Sequence, residues 1–164
     1  MSEKMKTLEE LFVHQLQDLY SAEHQLTEAM PKMVEKASNP KLKEAFKKHL
    51  QETEDQKHRL VEVMNNLKIK IGGEKCKAIE GLIKETESFM KEKADAEVMD
   101  AGLIACAQRV EHYEISGYGT AKHFANRLGH HDASESLAKT LEEEKDCDES
   151  LNDLAIEKIN AAAE

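Results

Sequence analysis

Four long stretches of this chain repeat apolar residues every three or four positions, and each sets an acid where a core residue is due. In the first, Phe12, Leu16, Leu19, Leu26 and Met30 form the stripe and Glu23 fills its gap. In the second, the series 42, 45, 49, 52, 56, 60, 63, with Phe46 as the alternative to Ala45, places His49, Glu52 and Gln56 inside. In the third, Leu103, Ala107, Val110, Gly117, Ala121, Phe124 and Leu128 surround Glu114, with Glu111 on a neighbouring edge of the same face. In the fourth, Leu137, Leu141, Leu151, Leu154 and Ile159 enclose Glu144 and Asp148. Helices patterned this way bury their stripes only by facing one another, and the acids are buried with them.

The turn residues limit how those helices are joined. Two prolines and seven glycines in 164 residues leave few connections, and 4% aromatics with no Trp is helix rather than sheet usage, so one domain over residues 1–164 is expected. The patterns predict helices over about 8–36, 40–67, 95–128 and 133–160. Thr7 with Glu10 makes a capping box, and Asn39 caps the second helix with Pro40 in its first turn. Pro31 should kink the first helix or end its regular part. Gly129 stops the third helix, and Asp132 with Glu135 should cap the fourth. Between the second and third, KIKIGG breaks the pattern and a short helix follows over about 78–92. A crossover of that length returns the chain along the bundle, so the second and third helices run parallel. The expected fold is all-α, a four-helix bundle with one long crossover connection containing a short helix.

Counting along the helices tests whether the acids meet. Glu23 lies about 15 residues before the first turn and Glu52 about 14 after it, level within about 3 Å at helical rise. Glu114 and Glu144 lie about 16 and 14 residues from the turn joining their helices, with Glu111 about 4.5 Å further along. The carboxylates therefore stack into one layer near mid-height. Ionised carboxylates in a dry interior cost several kcal/mol each and repel one another, and the stripes carry no basic residue at that height except Arg109, which lies beside the stripe. Bound cations are the best neutraliser. Oxygen ligands with at most one His favour iron or manganese, and a layer of bridging carboxylates suits two metal ions.

His49 is either a ligand or a hydrogen-bonded core histidine one turn away. Gln56 and Asp148 occupy matching positions four residues after Glu52 and Glu144, where hydrogen bonding to the ligands is the favoured role. Tyr118, one turn beyond Glu114, reads more readily as a core tyrosine bonded to a carboxylate than as a redox group. The remaining histidines, His130 and His131 included, look solvent-facing. Cys76, Cys106 and Cys147 are odd in number and widely spaced, which suits buried packing thiols in a reducing compartment.

The net charge of −10 excludes nucleic acid and an anionic membrane surface as partners. The beginning, MSEKMKTLEELF, has no apolar run of signal-peptide type, and nowhere do 18 apolar residues run together, so a cytoplasmic location is expected.

The segments TLEELFVHQLQDLYSAEHQL, KHLQETEDQ, KCKAIEGLI, RVEHYEISGYGT and LEEEKDCDESLNDLA resemble the bacterial YciE/YciF stress-protein family across nearly the whole chain. The resemblance implies a ferritin-like, rubrerythrin-like bundle, a homodimer and a role in stress responses, with no established enzymatic activity; the small-molecule substrate is left open. It carries over Glu23, Glu52, Glu111, Glu114 and Glu144 as metal ligands and assigns no catalytic residue. Glu111-x-x-Glu114 is similar to the paired acids of rubrerythrins. The wider di-iron pattern places a His three residues after a Glu on two helices; here Asp55 follows Glu52 and Cys147 follows Glu144 at that spacing. Two functions therefore compete: a di-iron or di-manganese protein handling metal or reactive oxygen species, as an oxidase or peroxide-detoxifying enzyme, and a non-enzymatic structural or interaction stress protein whose metal site is empty or vestigial.

Overall fold

The computed structural model describes residues 4–164; Met1, Ser2 and Glu3, which fall within the expected domain and the N-terminal segment considered above, lie outside the described residues. Its long helices are α1 (Leu8–Lys36), α2 (Pro40–Asn66), α4 (Ala96–Arg127) and α5 (His131–Leu154), with α3 (Lys77–Phe89) in the crossover. A π-helical turn, Ala155–Ile159, and the short α6 (Asn160–Ala162) continue from α5, and no strand occurs among the described residues.

Local chemistry sets the first boundaries where the sequence places them. Thr7 Oγ1 accepts from the Glu10 N–H at 3.1 Å while Glu10 Oε2 accepts from the Thr7 N–H at 3.0 Å, which satisfies two donors left without helical partners. Asn39 Oδ1 accepts from Lys41 and Leu42, with Pro40 opening α2. Gly129 closes α4 at φ +81°, a conformation that costs an L side chain energy. α1 runs through Pro31 to Lys36, the end the pattern predicts, with Met30 and Ala37 buried on either side of its last turns. One expectation fails. α5 starts at His131, two residues before the predicted start, and Asp132 does not cap it. His130 occupies the cap position instead, stacked on Phe12 with ring centroids 5.8 Å apart and its Nε2 3.1 Å from Glu9, so it is a tie to α1 rather than a solvent-facing residue.

α1 packs against α2 and α4, and α5 packs against the same two helices. One end of the bundle is closed by Phe12, Leu16, Leu60, Met64, Ala125 and Leu137, the other by Ala37, Leu42, Phe46, Leu103, Leu151 and Ile159. Those memberships fix the directions: α1 and α5 run one way and α2 and α4 the other, so the crossover does return the chain along the bundle. α3 lies over α1 and α4 with Ile79 buried against Leu26 and Met30, and Phe89 sits where a Cβ on Gly102 would collide with its ring. Gly102 is therefore what lets α3 seat on α4. No described helix is long and apolar enough to cross a membrane.

Candidate metal centre

Between the two apolar ends the interior changes character. Glu23 from α1, His49 and Gln56 from α2, Glu111 and Glu114 from α4, and Glu144 from α5 are all buried, with the four glutamates fully so. One ligand atom each from His49, Glu111, Glu114 and Glu144 lie within 4.8 Å of one another, and Glu23 adjoins Glu114 and Glu144 closely enough for all three to perturb one another. Each long helix thus contributes, α2 through His49 and Gln56 rather than through Glu52, whose height was counted.

Almost none of these groups has a partner. Both oxygens of Glu111, Glu114 and Glu144, one oxygen of Glu23, both ring nitrogens of His49 and the amide oxygen of Gln56 are sealed from solvent without a hydrogen bond. His49 Nε2 and Glu111 Oε1 stand 2.9 Å apart, but not in the alignment of a hydrogen bond. The exception is Tyr118, whose hydroxyl donates to Glu23 Oε1 as a core tyrosine bonded to a carboxylate. No Lys or Arg relieves the charge, for Arg109 is exposed. Burial first, and then the charge of Glu144, pushes the Glu23 carboxyl up to about 8, while burial pushes Glu111 up to about 7. Glu114 and Glu144 are held well above the usual carboxylate range by burial first, then by the charge of a neighbouring acid, Glu144 for the former and Glu111 for the latter. Without a cation the layer is stable only as it takes up protons. Carboxylates from several helices with one imidazole, all lacking other partners, are a donor set that fits divalent iron or manganese.

Two predicted interior positions are corrected. Glu52 is 30% exposed and pairs with Lys48 at 3.4 Å; its place inside α2 is taken by buried Thr53, as Ala45 yields to buried Phe46. Asp148 is 21% exposed at the α4–α5 seam, 3.0 Å from His112 Nε2 and accepting from Gln108 at 3.3 Å, so it lies at the edge of the layer rather than inside it. Both follow from helical geometry: at roughly 100° per residue, positions i+3 and i+4 flank the stripe about equally, and packing chooses between them. Gln56 is buried as expected, but donates outward to Glu143 at 3.2 Å, where Arg59 clamps that carboxylate with two bonds of 2.8 and 3.0 Å.

Two buried or partly buried residues were missed, Asp100 remote from the layer and Cys147 beside it. Asp100 is a buried acid that continues the third stripe one step back from Leu103, a signal that was present. Cys147, read as a packing residue, has its sulfur within 4.8 Å of ligand atoms of His49 and Glu111. Its signal was its position three residues after Glu144.

An all-helical bundle whose mid-height layer gathers four buried glutamates and a buried histidine, most of their polar atoms without a partner, defines the class, a ferritin-like bundle with a carboxylate-rich interior. The chain belongs to the family described as a domain of unknown function, DUF892, whose model matches residues 7–164, and within it to the YciF-like stress proteins. It is 50% identical to Protein YciF of Escherichia coli strain K12 over 163 residues, covering 98% of this chain and 97% of that protein. The crystal structure of the E. coli stress protein YciF superposes with a TM-score of 0.91 at 48% identity, covering 95% of this chain and 99% of that one. YcfI of Rhodopseudomonas palustris, described as a candidate structural protein, gives 0.89 at 45% identity, covering 93% and 97%.

Proposed function

We propose that this stress-family protein binds two iron or manganese ions in the mid-bundle layer and uses them to handle metal or reactive oxygen species in the cytoplasm, as a homodimer. The observation that carries this reading is the set of ten buried polar atoms without partners, drawn from all four long helices, with ligand atoms of His49, Glu111, Glu114 and Glu144 within 4.8 Å of one another. Groups so costly to bury persist where a ligand completes them. Glu111, Glu114, Glu144, Glu23 and His49 would hold the ions, with Tyr118 orienting Glu23. Glu52 joins them only by leaving Lys48. When bound, such metals supply one-electron chemistry toward oxygen or peroxide. An apolar cavity of about 20 Å³ between Met33, Phe46 and Val110 reaches His49 and Glu111, enough for one small molecule at the site. The free cysteines suit a reducing compartment, and family resemblance supports the dimer.

A second reading, a non-enzymatic structural protein with a vestigial site, is favoured by the raised carboxyls, which can stand protonated and neutral without any ion. Metal analysis of protein made in iron- and manganese-supplemented medium, joined to oxygen uptake on adding Fe(II) to the stripped protein, separates the two. About two metals per chain with oxygen consumption supports the first; no metal and no consumption leaves the second. Scattering mass tests the dimer.

A further inference from the structure

Among the described residues, Cys147 is the one thiol grouped with ligand atoms of this layer. The Sγ of Cys147, a nitrogen of His49 and an oxygen of Glu111 lie mutually within 4.8 Å, in a group separate from the quartet that His49 and Glu111 form with Glu114 and Glu144. Two of the three are buried side chains whose atoms have no hydrogen-bond partner: His49 is 4% exposed and Glu111 fully buried. His49 and Glu111 are thus shared by two sets, one completed by carboxylates and the other by sulfur. The other thiols are differently placed: Cys76 donates to the Tyr113 hydroxyl under α3 at 3.1 Å, and Cys106 belongs to neither set.

We propose that Cys147 lends a thiolate to a metal ion held with His49 and Glu111, so that the two metal positions are unequal, one a nitrogen, oxygen and sulfur site and the other a carboxylate site. The inference rests on the metal-binding reading above. Mixed donors of this kind suit a softer divalent ion such as zinc or ferrous iron, whereas the set completed by the carboxylates of Glu114 and Glu144 suits manganese or iron. On binding, the S–H bond breaks, the sulfur's electron pair goes to the metal, and the proton leaves to solvent. No electron changes hands in that step.

Cobalt(II) chloride, titrated into metal-free protein, tests this through absorption rather than turnover. Cobalt bound to the wild-type chain should give a thiolate-to-cobalt charge-transfer band in the near ultraviolet, lost in Cys147→Ser and kept in Cys76→Ser and Cys106→Ser. Cobalt bound without that band, or a band that survives Cys147→Ser, overturns the thiolate and leaves the proposed function standing. No cobalt bound by the wild type overturns both. Should Cys147→Ser fail to fold, the wild type decides: with cobalt bound, mass spectrometry should find Cys147 alkylated by iodoacetamide more slowly than in metal-free protein, and equal rates overturn the proposal.

Discussion

Asp100 and Glu114 lie on the same helix face, four turns apart, both buried, yet they do opposite things. Asp100 sits at the α1–α2 turn, where each of its oxygens accepts a backbone N–H, from Ser38 and from Asn39, both at 2.8 Å. Those amides precede α2 and would otherwise lack partners, so the buried charge closes a structural joint. Glu114 has no partner on either oxygen and is surrounded by Glu23, Glu111 and Glu144. Burial alone does not separate a structural acid from a functional one. The state of its hydrogen bonds does.

The largest expected effect breaks the comparison at the mid-bundle layer. Iron(II) or manganese(II) at about a thousandfold over its Kd should stabilise the wild-type chain by about 4 kcal/mol. A Glu114→Gln/Glu144→Gln double variant should gain almost nothing, as read by anaerobic thermal unfolding with and without metal. Equal gains in both would place the metal elsewhere. The Asp100 end should respond in the opposite sense. Asp100→Ala strands two amides and should cost about 3 kcal/mol in chemical denaturation, with metal content unchanged.

The pH dependence sharpens the difference. Because the folded layer holds protons that the unfolded chain gives up near 4.5, metal-free stability should fall as pH rises from about 4.5 through the folded values near 7 and 8 for Glu111 and Glu23. Glu111 alone accounts for roughly 3 kcal/mol of that fall. Metal occupying the layer should flatten the slope, since it displaces the same protons. A metal-free stability that climbs over that range would contradict the buried acid layer. Smaller still, Glu114→Leu without metal should be neutral or stabilising by about 1 kcal/mol or more, because an unpartnered buried charge is replaced by apolar packing. Tyr118→Phe, which removes the single donor to Glu23, should cost about 1 kcal/mol and push the Glu23 carboxyl higher.

Much of this architecture was legible in the residues. Stripe periodicity, the Thr7–Glu10 box, Asn39–Pro40 and Gly129 place α1, α2 and α4 to within a residue of their observed bounds. α3 ends three residues early; α5 starts two residues early, because His130 finds Phe12 and Glu9 across the bundle and the Asp132 cap loses, and it gives way to a π-helical turn after Leu154, short of the expected end. Glu23, Glu114 and Glu144 could be read from sequence because each is an acid on the stripe itself, while Glu111, on the edge of its face, is buried through packing. Phase alone could not choose between Glu52 and Thr53, or between Cys147 and Asp148, since neighbouring positions straddle the stripe.

The sequence by itself determined which faces are apolar, where acids interrupt them and at what height, because those depend only on helical rise and rotation. The tertiary structure decided which buried acids find partners: Asp100 meets the amides of a distant turn, while Glu114 meets only other acids and an unpaired histidine. Hydrogen bonds between helices depend on side-chain direction and on the packing of neighbours such as Phe89 on Gly102, which no single helix's periodicity encodes.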